Sequence, residues 1–130
     1  MRYILAYVGK IKQPFKQLLN EYKKRLPLEE ACFDNRKELS KFLESKTYYL
    51  LDEKGNEFDS ISFAKFISNI NEKVIFVVGD EDGFDNDVKK NAKLTISLSK
   101  MTLPHDLAKI VLLEQIYRSE TIIKNKKYHR

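Results

Sequence analysis

The stretch "SLSKMTLPH", residues 97–105, combines two serines, a lysine and a threonine with the apolar side chains of Met101 and Leu103. It follows a short strand-like run and precedes a long helical pattern, so it is predicted to be a loop at a strand end. Such loops ordinarily carry polar turn residues. Turn formation therefore does not account for Met101 and Leu103, nor for the Pro104-His105 pair that ends the stretch.

A second loop, "GDEDGFDND" at residues 79–87, has the acidic composition of a calcium site. It fails the EF-hand register, because no start position places acids at 1, 3 and 5 with Gly83 at 6. Two interpretations remain. The loop is either a solvated acidic turn, or a segment whose Gly79 and Gly83 let the backbone approach a ligand.

Other chemistry-bearing patterns are few. The two histidines, His105 and His129, do not make a zinc site without cysteine partners, so no metal centre is predicted. His105 is expected to help start the long helix. No serine lies in a GxSxG elbow, and neither GxGxxG nor GxxxxGK[ST] occurs. These absences disfavour a hydrolytic triad, a Rossmann dinucleotide site and a P-loop, and with them a small-molecule α/β enzyme of those classes.

Charge is distributed unevenly along the chain. Residues 1–26 carry seven basic side chains and one acid, residues 27–87 carry seven basic and fifteen acidic, and the tail 124–130 carries four basic and none acidic. Basic ends around an acidic middle favour a polyanionic partner. A solubilising surface with a frayed tail fits the same distribution.

The single cysteine, Cys32, excludes an internal disulfide and is predicted to be a small buried hydrophobe. No apolar run reaches the length of a membrane span, and "MRYILAYVGK" is too short for a signal peptide. A cytoplasmic protein is therefore expected.

Apolar runs and helical spacing alternate along the whole chain. Strands are predicted at 3–8, 29–33, 47–52, 73–78 and 94–98, and helices at 14–26, 36–45, 61–70, about 88–92 and 104–124. Residues 53–60, rich in Gly, Asn and Asp, are predicted to form a turn. The alternation predicts a one-domain α/β protein with a largely parallel sheet covered on both faces. In such sheets ligands bind beyond the carboxyl ends of the strands, where the loops at 51–60, 79–85 and 98–105 would lie.

The last predicted helix has a wider apolar surface than one stripe requires. Its members are Leu107, Ile110, Val111, Leu113, Ile116, Tyr117 and Ile122. Full burial in the core and partial burial against a partner subunit are both compatible with this pattern. Glu114 and Arg118 on the same helix are spaced to form an ion pair.

Several stretches taken together resemble one known family. They are "ILAYVGKIK" and "EYKKRL" near the start, "LDEKG" and "FVVGDEDGF" at two strand ends, "ISLSKMTLPHDLAKIVLLEQIYRS", and the final "YHR". This combination is similar to the SPOUT-class large-subunit ribosomal RNA (pseudouridine-N3) methyltransferase H family. The resemblance spans nearly the whole chain and is strongest from residue 74 onward.

The resemblance implies a single-domain α/β SPOUT fold over residues 1–130, with a mainly parallel sheet of five to six strands and a C-terminal trefoil knot. Such a knot is a rare exception to the rule that chains stay un-knotted. The resemblance also implies a homodimer with the last helix in the interface. S-adenosyl-L-methionine is the implied methyl donor, bound in the knot.

Residue roles are carried over by position in these motifs. The implied cofactor-binding residues are Leu51, Gly79, Leu98, Ser99, Lys100, Met101, Thr102 and Leu103. Loop 98–103 would wrap the adenine and the methionyl group, which accounts for its apolar side chains. The implied catalytic residues are in the tail: Tyr128 stacking on or hydrogen-bonding the base, His129 orienting the base or taking its proton, and Arg130 holding phosphate.

The implied function is methylation of N3 of a pseudouridine in 23S ribosomal RNA within the assembled ribosome, with no membrane partner. Two alternatives stay open: a non-catalytic RNA-binding module of the same fold, and a SPOUT methyltransferase for another RNA such as transfer RNA. Two positions depart from the family pattern. Asp80 stands where many members have a second glycine, and Lys109 stands where an arginine is common.

Overall fold

Five strands alternate with five helices in the computed structural model, which describes residues 2–128. The strands are β1 (Tyr3–Val8), β2 (Leu28–Phe33), β3 (Tyr49–Glu57), β4 (Val74–Val78) and β5 (Leu94–Ser97). The helices are α1 (Phe15–Lys23), α2 (Arg36–Leu43), α3 (Ser60–Ser68), α4 (Asn86–Asn91) and α5 (His105–Ile123). No helix within residues 2–128 is long and apolar enough to cross a membrane.

The strands form one sheet in the order β2-β1-β4-β3-β5, and every pairing is parallel. Tyr3 and Leu5 of β1 face a core completed by α1, α3 and α5. Ile4 and Ala6 face a second core completed by α2 and α4. Burial on both faces explains the continuous apolar runs. The predicted α/β fold is confirmed, whereas the trefoil knot stays a prediction.

Side-chain caps start two of the helices. The side chain of Asn35 accepts a hydrogen bond from the Glu38 backbone at 2.9 Å and begins α2. Asp59 accepts one from the Ser62 backbone at 2.7 Å and begins α3. Because parallel strands end at one edge of the sheet, the loops after β3, β4 and β5 meet there.

The turn predicted at residues 53–60 is wrong over its first half, because β3 continues through Glu57. Leu51 and Asn56 both pair with Ile96, so the pairing of β3 with β5 shifts register between them. Gly55 lies in this irregularity, where an added Cβ would stand 2.6 Å from the carbonyl carbon of Thr95. Gly, Asn and Asp have low strand propensity, but here the glycine is what lets the two backbones approach.

We expect Gly55→Ala to lower the free energy of unfolding by about 1–3 kcal/mol, the usual cost of forcing extra volume into a packed site. The clash is with backbone atoms, which cannot rotate away. Urea denaturation followed by circular dichroism measures the loss. The neighbouring exposed Lys54→Ala is the matched control and should stay within about 0.5 kcal/mol of the parent.

The prediction that Cys32 is buried is wrong. Its side chain is exposed, and its thiol donates a hydrogen bond to the Gly9 carbonyl at 2.6 Å. The reason is topological, because among residues 2–128 β2 lies at the edge of the sheet and pairs only with β1. An edge strand is covered less completely than a central one, and sequence pattern alone does not reveal which strand takes the edge.

Candidate active site

A cavity of about 410 Å³ lies at the carboxyl edge of the sheet. Its walls come from the ends of β3 and β4, the loop between β4 and α4, the loop after β5 and the first turn of α5. The lining residues are Leu51, Asp52, Glu53, Val78, Gly79, Asp80, Glu81, Gly83, Phe84, Leu98, Ser99, Met101, Thr102, Leu103, Pro104, His105 and Ala108. Three loops far apart in sequence thus form a single concave site of the size that small-molecule ligands use.

The structure brings most of the predicted cofactor-binding residues together in this cavity. Seven of the eight line it, namely Leu51, Gly79, Leu98, Ser99, Met101, Thr102 and Leu103. Lys100 does not line it, and its ammonium lies 3.4 Å from the carboxylate of Glu57. The side chain of Met101 is 77% exposed, although part of the residue lines the cavity. An apolar side chain this exposed at a cavity mouth is suited to covering a ligand.

Hydrogen bonds fix the loop between β5 and α5. The Ser97 hydroxyl donates to the carbonyl of Ser99 at 2.9 Å, and the Met101 backbone donates to the Ser99 hydroxyl at 3.0 Å. The Thr102 hydroxyl donates to the carboxylate of Glu53. The loop is therefore joined to the part of β3 that the sequence pattern had predicted to be a turn.

Arg36, the first residue of α2, holds the acidic loop after β4. Its guanidinium makes two bonds to Asp80, at 2.8 and 3.1 Å, and one to Asp85 at 3.0 Å. It also donates to the Gly83 carbonyl at 3.0 Å. The bond from Arg36 holds the pKa of Asp80 below its ordinary value, and the same bond raises the pKa of Arg36. The loop is thus an organised cavity wall, and the Asp80 carboxylate is bonded to Arg36.

Replacing Arg36 with methionine should loosen this wall. We expect amide hydrogen exchange across residues 80–85 to become about tenfold faster at neutral pH, since three side-chain contacts and one backbone contact are lost together. The pKa of Asp80 is lowered in the folded protein, so the ion pair is present at neutral pH and is lost as pH falls through that lowered pKa. At acidic pH the amide exchange rates of residues 80–85 in the parent should therefore approach those of the Arg36→Met variant. Lys37→Met is the control, and equal exchange in all three proteins at pH 7 would contradict this role.

A buried ion pair anchors the start of α5. The ammonium of Lys109 lies 2.9 Å from the carboxylate of Asp106 and 4.2 Å from the centre of the Tyr7 ring. The other carboxylate oxygen of Asp106 accepts a bond from the Lys12 backbone at 3.1 Å. Burial raises the pKa of Asp106, but these bonds outweigh it, and the pKa lies below the ordinary value. The neighbouring His105 lines the cavity, so this pair fixes one of its walls.

The predicted catalytic tail does not reach the cavity within the described residues. The Tyr128 hydroxyl donates to Glu114 at 2.9 Å, and its ring packs edge-on against Tyr117. Burial raises the pKa of Glu114, but bonds from Tyr22, Tyr128 and Arg118 outweigh it and lower the pKa. The predicted pair between Glu114 and Arg118 is confirmed at 3.0 Å.

The two remaining tail residues of the prediction, His129 and Arg130, lie outside the described residues.

Sequence reasoning missed Arg36 as part of the site and missed the burial of Lys109, which is 1% exposed. Arg36 is 44 residues from Asp80, and no local spacing links them. The i,i+3 spacing of Asp106 and Lys109 was a usable signal for an ion pair, although not for its burial.

Carboxylates dominate the polar part of the cavity lining. Asp52, Glu53, Asp80 and Glu81 all line it, and no lysine or arginine does within the described residues. Of these four, Asp80 is neutralised by Arg36. The described part of the chain contains no group of three or more His, Cys, Asp or Glu arranged to hold a metal ion. The lining is therefore suited to a ligand that carries positive charge.

The family described as "Predicted SPOUT methyltransferase" matches residues 1–129. Two relatives carry the name ribosomal RNA large subunit methyltransferase H. The one from Prochlorococcus marinus (strain MIT 9215) is 38% identical, over 99% of this chain and 96% of its own. The one from Clostridium perfringens (strain SM101 / Type A), numbered H 1, is 35% identical over the full length of both chains.

Two solved structures share the architecture. A probable methylase family protein from Haemophilus influenzae Rd KW20 superposes with a TM-score of 0.68 at 9% identity, over 99% of this chain and 70% of its own. The tRNA (m1G37) methyltransferase from Aquifex aeolicus superposes with a TM-score of 0.59 at 14% identity, over 91% of this chain and 70% of its own. At these identities the likeness extends to the fold alone.

Proposed function

Because this chain belongs to the SPOUT methyltransferase family, we propose that it transfers a methyl group from S-adenosyl-L-methionine to N3 of a pseudouridine in large-subunit (23S) ribosomal RNA, acting on the assembled ribosome. The observation that carries the proposal is the cavity at the carboxyl edge of the sheet, together with the full-length relatives named ribosomal RNA large subunit methyltransferase H. A ribosomal substrate implies a cytoplasmic location, which belongs to the same proposal.

The cavity residues fit S-adenosyl-L-methionine in size and in chemistry. A volume of about 410 Å³ lies in the range of small-molecule sites. Leu51, Leu98 and Leu103 offer apolar surface for an adenine ring, and the backbone of loop 98–103 offers N–H and C=O groups for its edge. Asp52 and Glu53 line the cavity, and negative charge there favours a sulfonium and an ammonium over an uncharged analogue.

When bound, the cofactor supplies an electrophilic methyl group for in-line attack by the imide nitrogen. The chain must then orient the base against that methyl group, which is a large source of rate in such transfers. The imide proton must also leave, by prior ionisation or to a base. We assign stacking on or hydrogen bonding to the base to Tyr128, base orientation or proton acceptance to His129, and phosphate binding to Arg130. His129→Ala with full turnover would remove the assignment of His129 as the base.

A homodimer belongs to the same proposal. The cavity contacts the first turn of α5, whereas Tyr128 packs two to three turns further along the same helix against Glu114 and Tyr117. At about 1.5 Å of rise per residue, this separation is on the order of 10–15 Å. A second copy packed along α5 would supply a tail to this cavity. Ile110, Val111 and Ile122 of α5 are only partly buried in one chain and would become covered.

Two measurements, made one after the other, test the proposed function. Calorimetric titration should detect micromolar-range binding of S-adenosyl-L-methionine to the parent and weaker binding to Met101→Ala, because the exposed Met101 side chain would cover the ligand. Radiolabelled methyl transfer is then measured with ribosomes that lack this modification, with free 23S RNA and with transfer RNA. Transfer to ribosomes alone is the expected result.

Two other outcomes would each favour one of the alternative functions. No heat and no thermal shift at saturating ligand would favour a non-catalytic RNA-binding module. Cofactor binding with methylation of transfer RNA, and none of ribosomes, would favour the other methyltransferase alternative.

A further inference from the structure

Three exposed lysines, Lys10, Lys12 and Lys16, follow β1 along the chain. Within the described residues none of the three forms a salt bridge. They are therefore cations without an acidic partner in the fold, available to a polyanion. We call these three residues the lysine surface.

The backbone that carries the lysine surface is held in place. Ile11 is buried in the core, and the backbone N–H of Lys12 donates to the carboxylate of Asp106 at 3.1 Å. The backbone N–H of Lys16 donates to the Lys12 carbonyl at 3.0 Å, so these two side chains lie one helical turn apart. The positive charges thus project from a fixed scaffold.

The lysine surface lies on one side of the cavity mouth. Asp106, which binds the Lys12 backbone, follows His105 of the cavity wall. In the sheet, β1 is also the direct neighbour of β4, whose carboxyl end forms the cavity floor. Asp52 and Glu53 of β3 also line the cavity, and β3 lies on the other side of β4 from β1 in the sheet. The cavity mouth is therefore basic on one side and acidic on the other.

We infer that the lysine surface binds the phosphate backbone of the RNA substrate, so that the RNA crosses the cavity from the β1 side. This inference rests on the proposed function and adds the direction of approach. Phosphates are repelled by the acidic side and attracted by the three lysines. The backbone then lies over Lys10, Lys12 and Lys16, while the target base is presented to the cavity.

The test compares two triple variants with the same change in charge. The first is Lys10→Gln/Lys12→Gln/Lys16→Gln. The control is Lys41→Gln/Lys65→Gln/Lys93→Gln, three exposed lysines that lie towards the opposite, amino-end edge of the sheet. Affinity for isolated large ribosomal subunits is measured across a salt series, with S-adenosyl-L-methionine affinity measured separately.

We expect the first variant to bind subunits at least about tenfold more weakly near physiological salt. The slope of log affinity against log salt should become about 2 units shallower, since each lost phosphate contact removes somewhat less than one unit. The control variant should match the parent, and cofactor affinity should be equal in all three proteins.

Equal slopes for the two triple variants would overturn the inference. A parent that methylates ribosomes while the first variant keeps its slope would overturn it and leave the proposed function standing. A shallower slope in the first variant, together with no methyl transfer by the parent, would overturn the proposed function and leave the lysine surface as an RNA contact. No salt-dependent binding by the parent would overturn the inference too.

Discussion

Replacing Lys109 with alanine is expected to lower the free energy of unfolding by about 3–5 kcal/mol, the usual cost of removing one partner of a buried ion pair. Lys109 is 1% exposed and Asp106 is 7% exposed, so water reaches neither charge. The variant leaves the Asp106 carboxylate buried, with a hydrogen bond from the backbone N–H of Lys12 and the His105 imidazole at 3.7 Å, and it removes the contact with the Tyr7 ring. Urea denaturation followed by circular dichroism measures this change.

A double variant separates the lost pair from the lost packing. In an Asp106→Asn background, Lys109→Met should cost less than about 1.5 kcal/mol, because replacing both charges leaves no buried carboxylate uncompensated. The asparagine side chain still offers an oxygen to Lys12. A Lys109→Ala cost below about 1 kcal/mol in the parent would contradict this role of the ion pair. So would a Lys109→Met cost that is equal in the parent and in the Asp106→Asn background.

The pH dependence of the Lys109→Ala variant has a definite sign. In the parent the pKa of Asp106 is lowered on folding, so its contribution is present above the unfolded pKa of about 4 and is lost as pH falls through the folded pKa. Without Lys109, the largest influence that opposes burial is removed, so we expect the pKa of Asp106 in the folded state to rise. Protonation then favours folding, and the difference in stability between parent and variant should narrow as pH falls below about 5.

Sequence periodicity predicted the alternation of strands and helices because a parallel sheet buried on both faces leaves long apolar runs, as in the interior strands β1 and β4, which carry Ile4 and Val77. The prediction from sequence was wrong for residues 53–57, because Gly55 is a residue type typical of turns. There the strand is maintained by pairing with β5, some 40 residues away, which no local pattern records. The error at Cys32 has the same origin, since strand order determines which side chains are exposed.

The residues of the candidate site also fall into two groups: those that the sequence located and those that only the fold reveals. The loop residues were located by the family resemblance, and the fold brings seven of the eight into one cavity. The residues that hold those loops were not located, because Arg36 reaches Asp80 and Asp106 reaches the Lys12 backbone only after folding. The two positions where the chain departs from the family pattern, Asp80 and Lys109, pair with two of these supporting residues. Each of these two side chains has an oppositely charged partner in the fold: Asp80 pairs with Arg36, and Lys109 pairs with Asp106.

Gly79→Leu is expected to weaken S-adenosyl-L-methionine binding by about 100-fold, equivalent to about 2.7 kcal/mol. Gly79 directly follows β4 and lines the cavity. A Cβ added there would already lie 3.1 Å from the Phe84 ring and 3.4 Å from the Gly83 carbonyl. The remaining carbons of leucine therefore have only the cavity itself to occupy, and they would displace the ligand.

Phe84 offers the control for this prediction. Gly79→Ala adds only the Cβ, which presses on the outer atoms of the Phe84 ring, so a moderate loss of affinity of about tenfold is expected. In a Phe84→Ala background the same Gly79→Ala change should cost little, because the ring is no longer there to be pushed into the cavity. Gly79→Leu should remain severe in both backgrounds. Calorimetry gives the affinities, and thermal melting of each variant confirms that it is folded. Unchanged affinity in a folded Gly79→Leu variant would place the cofactor elsewhere than this cavity.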